Sequence, residues 1–88
     1  MDKVLMRAGR ALLGWSQDDL ARQAGVQRQV VSTYENGTRT PHPANLDRLV
    51  AALREAGVTE ITRKDGSAGV VATAKTLLAL RFGDPDGD

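Results

Sequence analysis

Between residues 27 and 35 the chain reads Gln-Arg-Gln-Val-Val-Ser-Thr-Tyr-Glu. Val30, Val31 and Tyr34 fall at helical spacing, which leaves Gln27, Arg28, Gln29, Ser32 and Thr33 on the opposite face of a short helix. All five can hydrogen-bond, and nothing on that face is acidic before Glu35. A guanidinium can bond guanine O6 and N7 together, and an amide can do the same at adenine N6 and N7. Arg28 and Gln29, in the first turn of such a helix, are therefore candidate readers of base edges. Ser32 and Thr33, one turn later, would reach further bases or thymine methyls, and Val30 is either core or a methyl contact. A polar helix face is more often simply solvated, so the reading depends on what holds this face in place.

Contacts to a nucleic-acid backbone call for different groups. Free N–H groups at a helix N-terminus suit a phosphate, and Gln17 begins the segment Gln17–Ala24. It reads equally as a residue inside the capping box formed by Ser16 and Asp19. Arg10, Gln27, Asn36, Thr38 and Arg39 are candidate phosphate clamps on either side. Asn36 and Gly37 either present main-chain N–H groups to a phosphate or make an ordinary turn. Trp15 reads as core, and His42, between Pro41 and Pro43, as a loop residue near a helix cap.

The elements that must position these residues follow from periodicity and breakers. Val4, Leu5, Ala8 and Leu12 predict a first helix over about residues 2–13 with that stripe inward, ended by Gly14. Ser16-Gln17-Asp18-Asp19 starts a second helix, with Leu20, Ala21 and Ala24 inward and Gly25 as its stop. A third helix covers about residues 28–35 and ends at Asn36-Gly37. Pro43 fits the first turn of a fourth, whose buried face is Leu46, Leu49, Val50 and Leu53 and whose end is Gly57. Ala21 must be small, because the second and third helices approach closely there.

Beyond Gly57, Val58–Arg63 and Gly69–Thr73 read as a hairpin turned at Asp65-Gly66. The competing reading is a helix capped at Ser67, since Val70, Val71, Ala74, Leu77 and Leu78 also fall at helical spacing. Residues 74–82 favour helix in either case. The expected organisation is a helix-turn-helix unit over 1–57, a hairpin or extra helix over 58–82 serving dimerisation, and a disordered tail over 83–88.

Eighty-eight residues suffice for one modest core. A hydrophobic share of 41% and a charged share of 26% are too balanced for a wholly disordered chain. The absence of cysteine removes disulfides and thiolate metal sites and points to the cytoplasm; no apolar run has the length of a membrane span. One histidine, scattered carboxylates and no glycine-rich phosphate loop leave no credible catalytic pair, so no enzyme, cofactor or metal site is expected. Residues 1–64 carry ten Lys/Arg against seven Asp/Glu, a charge of +3, and residues 65–88 carry two against four, a charge of −2. The positive excess thus lies with the part that reads as ordered.

Two stretches, Arg10-Ala-Leu-Leu-Gly-Trp-Ser-Gln-Asp-Asp-Leu-Ala-Arg-Gln-Ala-Gly-Val26 and Val30-Val-Ser-Thr-Tyr-Glu-Asn-Gly37, resemble the lambda-repressor and Cro-type (XRE) helix-turn-helix family over about residues 3–57. Thr40-Pro-His-Pro-Ala-Asn-Leu46 and Leu53-Arg-Glu-Ala-Gly-Val58 resemble a bacterial subgroup in which a short strand pair follows the fourth helix. The resemblance implies a mainly α bundle of four to five helices, with a short C-terminal β-hairpin or extra helix. It further implies a dimeric regulator of transcription bound to double-stranded DNA, with Gln17 on phosphate, residues 27–33 in the major groove and Asn36 near the backbone. Gln27 stands where that family usually has a Ser or Thr cap, and the segment after Ile61 is longer and more apolar than the subgroup's ending. Val70, Val71, Leu77, Leu78 and Phe82 are expected to build a dimer interface. The expected function is a repressor on a palindromic operator; the alternative is a protein-interaction module, antitoxin or co-regulator of the same fold.

Overall fold

The computed structural model describes residues 1–83. It contains α1 (Lys3–Leu13), α2 (Gln17–Ala24), α3 (Arg28–Glu35), α4 (Pro43–Glu55), β1 (Val58–Thr62), β2 (Ala68–Ala72) and α5 (Ala74–Phe82). Side chains set most of the boundaries. Asp2 accepts the Leu5 N–H at 2.8 Å to open α1, and Gly14, at φ 70°, closes it. Ser16 and Asp19 cap α2 reciprocally, and Gly25, at φ 71°, ends it. Both glycines occupy the left-handed region, where a side chain would be strained.

The core is Met6, Leu13, Leu20, Ala21, Val31, Leu49, Ala52, Leu53 and Val58, with Trp15, Leu46, Val50 and Tyr34 packed partly buried around it. The stripe expected on α1 is corrected. Val4 is 66% exposed, and the buried face is Met6, Gly9 and Leu13. Both stripes are apolar at helical spacing, and close approach decides between them. A Cβ on Gly9 would lie 3.2 Å from Val58 Cγ1 and 3.5 Å from Leu53 Cδ1, so the bare backbone seats α1 directly on α4 and β1.

α4 opens on Pro43, with His42 Nδ1 accepting the Ala44 N–H at 3.2 Å. The helix stops at Glu55, and Gly57 follows at φ 96° as the corner into β1. The strand pair forms and the helix capped at Ser67 does not. Gly66 takes φ 90° in a three-residue loop closed by Arg63 N–H to Ser67 O at 2.8 Å, a turn that favours a hairpin. The pairing is antiparallel, from Val58↔Ala72 to Thr62↔Ala68. Val58 is fully buried while Val70 and Ala72 pack against the core, which gives the pair one inward face.

Thr73 caps α5 by accepting the Thr76 N–H at 3.2 Å. The helix is tied back where Thr76 Oγ1 donates to Ala56 O at 3.0 Å. Gly83 is its C-cap; the remainder of the tail expected over 83–88 lies outside the described residues.

Candidate nucleic-acid interface

A tight connection sets the angle between α2 and α3. Only Gly25, Val26 and Gln27 separate them, and the Val26 N–H donates to Ala21 O at 3.0 Å. Leu20, Ala21 and Val31 are buried between the two helices and their neighbours. Arg28 and Gln29 stand exposed on the first turn of α3, and Gln27, its N-cap, makes no side-chain cap bond.

Ser32 and Thr33 are half-buried. Their hydroxyls donate to Gln29 O at 3.3 and 2.8 Å, so what they offer outward is oxygen lone pairs and the Thr33 methyl. Val30 is half-buried as well, with one flank on the core and the other on a groove of about 470 Å³ that Gln29, Thr33, Arg39, His42 and Asn45 also line. The groove runs between α3 and the loop into α4.

The C-terminal end of α3 is held by a buried carboxylate that stands outside the set of candidate residues drawn from the sequence. Glu35 is 4% exposed. Its Oε2 accepts Arg10 Nε at 2.8 Å, and its Oε1 accepts Arg10 Nη2 at 2.7 Å and Gln17 Nε2 at 3.2 Å. Arg7 Nη2 donates to the Glu35 main-chain oxygen at 3.0 Å. Burial alone would push the Glu35 carboxyl up, but the hydrogen bonds from Arg10 and Gln17 and the charges of Arg10 and Arg7 more than offset it, so the carboxyl titrates below its usual value. The bond to Glu35 raises Arg10 in turn. A signal for the cluster is present in the sequence: Val31 and Glu35 are four apart and so share the inward stripe, while Arg7 and Arg10 form a matching pair on α1.

This cluster corrects the expected role of Arg10. Its third nitrogen, Nη1, bonds Trp15 O at 2.9 Å, so all three guanidinium nitrogens are engaged within the protein. Gln17 is half-buried with one amide hydrogen on Glu35. Its main-chain N–H lies in the first turn of α2, where no carbonyl precedes it. The main-chain option at Asn36 and Gly37 is corrected too. Those N–H groups donate to Ser32 O and Tyr34 O, both at 3.0 Å, leaving the Asn36 side chain as the exposed group.

Thr38 and Arg39 are tied to the end of α3. The Thr38 N–H, the Thr38 hydroxyl and the Arg39 N–H all donate to Thr33 O, at 3.0, 3.2 and 3.3 Å. Arg39 keeps an exposed side chain beside the groove. Thus Gln27, Gln29, Thr33 and Arg39 line one groove, with Arg28 exposed next to Gln29 on the first turn of α3, whereas Arg10 is turned inward as a brace. Among the described residues no cluster of His, Cys, Asp or Glu could hold a metal ion, and no helix is long and apolar enough to cross a membrane.

Two consecutive helices joined through a glycine, with a polar outer face on the second and flanking helices closing the core, define a helix-turn-helix unit. The chain belongs to the helix-turn-helix family of DNA-binding regulators of the lambda-repressor type, which are not enzymes: the family model described as Helix-turn-helix matches residues 6–61. It is 44% identical over 50 residues, 57% of the chain, to an uncharacterized HTH-type transcriptional regulator of Archaeoglobus fulgidus. It is 42% identical over 48 residues, 54% of the chain, to a hypothetical transcription factor of Neisseria meningitidis serogroup B. The match covers 22% of the first relative and 45% of the second, so the chain spans less than half of either.

Proposed function

We propose that this chain is a cytoplasmic regulator of transcription that binds a specific double-stranded DNA sequence by placing the first turn of α3 in the major groove. The observation that carries the reading is the exposure of Arg28 and Gln29 on a helix whose other end is braced by the buried Glu35. A rigid helix presenting a guanidinium and amides, with no acidic residue in its first turn, suits base edges rather than a protein groove, which would call for apolar anchors.

In this reading Arg28 and Gln29 read bases, with Ser32 and Thr33 adding a hydroxyl acceptor and a methyl. Gln17, Gln27, Asn36, Thr38 and Arg39 fix register on phosphates. The protein acts as a homodimer on a palindromic operator with half-sites about 34 Å apart, and it represses by occupying the promoter. The dimerisation element lies within the hairpin and α5, residues 58–82.

Selection of bound fragments from random duplexes, at two salt concentrations, tests this directly. A palindromic consensus whose affinity falls steeply with salt is expected. Replacing Arg28 by Ala should then cost about 1–3 kcal/mol of binding and relax preference at one base pair, whereas Gln17→Ala should weaken all duplexes alike. Equal loss on every duplex for both variants would refute the assignment of roles.

A further inference from the structure

Among the described residues neither long edge of the hairpin is hydrogen-bonded to another element, and the two edges differ in kind. Arg63 N–H donates to Ser67 O and Thr73 N–H donates to Gly57 O, at 2.8 and 3.0 Å, which sets the alternation of the ladder. In this register Thr59↔Val71 and Ile61↔Gly69 are the hydrogen-bonded pairs, so the main-chain groups of Ala68, Val70 and Ala72 on β2 point away from β1. No loop, cap or side chain among the described residues takes those groups. β1 carries a charge at its own outer edge, Glu60, whose carboxylate lies 3.8 Å from the Met1 ammonium, and edges are commonly protected from pairing by such charges. β2 is Ala-Gly-Val-Val-Ala, with neither charge nor proline.

A shallow hollow of about 300 Å³ lies beside β2, lined by Ile61, Ala68, Gly69, Val70 and Val71 among others. Ile61 and Val71 are 47% and 41% exposed. Gly69 is the gap between them: a Cβ there would meet nothing within 4 Å, and its φ lies outside the left-handed region. The backbone does not require glycine at this position, so its effect is to leave room for a side chain from elsewhere.

We propose that β2 pairs antiparallel with β2 of a second copy of this chain, about a two-fold axis at Val70, joining two hairpins into one four-stranded sheet. Ala68, Val70 and Ala72 then exchange their outward N–H and C=O groups with Ala72, Val70 and Ala68 of the second copy. On the outer face, Gly69 lies opposite Val71 of the second copy, whose side chain fills the hollow against Ile61. The neighbouring two-fold registers shorten the ladder and set Val71 against Val71 or Gly69 against Gly69, leaving the hollow empty. An isologous contact needs such self-complementarity, and the Ala-Gly-Val-Val-Ala segment has it in one register. α5 leaves the edge clear, because Thr76 ties it to Ala56 at the α4 end of β1. The inference rests on the homodimer proposed above and specifies where it forms.

Amide exchange followed residue by residue, alongside sedimentation without DNA, tests the pairing. The expected result is a dimer in which exchange at Ala68, Val70 and Ala72 slows as concentration rises, while Glu60 and Thr62 stay fast. Gly69→Lys and Val71→Lys, at exposed positions the monomer tolerates, should each raise the dimer dissociation constant at least about ten-fold, the loss of one hydrophobic contact or more, and Phe82→Ser should leave it unchanged. A monomer at several hundred micromolar overturns the proposal. So does a dimer that Phe82→Ser dissociates and Gly69→Lys does not, which would move the interface to α5. Binding of Gly69→Lys to a single half-site, with and without Arg28→Ala, is read separately, so a failed interface is distinguishable from a failed reading face.

Discussion

The part of the chain before Gly57 and the part after it solve the problem of apolar surface in opposite ways. Before Gly57, buried Met6, Leu20, Val31, Leu49 and Leu53 fill a shared core, and of the large apolar side chains only Val4 is left well exposed. After it, among the described residues, Val58 alone is fully buried, and Ile61, Val71, Leu78, Leu80 and Phe82 are exposed. The outer surfaces differ too: the exposed first turn of α3 is guanidinium and amide, while the hairpin and α5 expose aliphatic and aromatic side chains among charged ones such as Lys64, Lys75 and Arg81. The first region buries nearly all of its large apolar side chains, with Val58 of the second completing its core. The second is attached to the first through Val58, Val70, Ala72, the Thr76–Ala56 bond and the pairing of the Met1 ammonium with Glu60, and leaves several large apolar side chains in solvent.

Stability measurements sharpen this contrast. The largest expected effect is Leu53→Ala, which opens a cavity at a fully buried site and should cost about 2–5 kcal/mol in urea unfolding. Phe82→Ser, at 80% exposure, should shift the dilute protein by no more than about 0.5 kcal/mol. Similar losses from the two would erase the distinction between the regions.

Next is Glu35→Gln, which keeps the shape of the brace but removes its charge and should cost about 1.5–3 kcal/mol at neutral pH. Because the folded carboxyl titrates below its unfolded value, its contribution is complete above the unfolded value of about 4.3. That contribution is lost as pH falls through the lower folded value. Asp19, held down by the Ser16 main chain and hydroxyl, and Asp65, held down by Ser67, act in the same direction. The test is therefore the difference between the two proteins: wild type and Glu35→Gln should converge in stability as the solution is acidified. A gap that stays constant down to about pH 2, well below the unfolded carboxylate value, would sink the account of the brace.

Smaller than these two core and brace effects is Thr76→Val, which removes the hydroxyl that donates to Ala56 O and accepts from Thr73 and should cost about 1 kcal/mol. The loss should show as faster amide exchange in α5 with α4 unaffected. Equal acceleration in α4 would mean that the second region is more deeply embedded than its contacts indicate.

Most of the helical boundaries are legible because glycines and caps punctuate them: Ser16 with Asp19, Gly25, and Pro43 after His42 each carry a local physical cause. The inward face of α1 is not, since Val4, Leu5, Ala8 and Leu12 form as regular a stripe as Met6, Gly9 and Leu13. Only the three-dimensional fit of bare Gly9 against Val58 and Leu53 separates them. The outer residues of α3 can be read from spacing, whereas the inward turn of Arg10 depends on Glu35, which by type alone reads as the edge of the polar face. Likewise, main-chain donors at Asn36 and Gly37 are spent within the turn itself, which depends on backbone geometry that residue types do not express.

Among the helices described, α3 is alone in starting without a side-chain cap: Asp2, Ser16, His42 and Thr73 serve the others, while Gln27 makes no cap bond. A missing cap withholds about 1 kcal/mol from a helix, here at the end that faces outward. Whatever acceptor settles against that turn finishes the helix as it binds. Occupancy should then be felt as a tightening of the whole α2–α3 pair, and a rise in melting temperature would announce the partner's arrival.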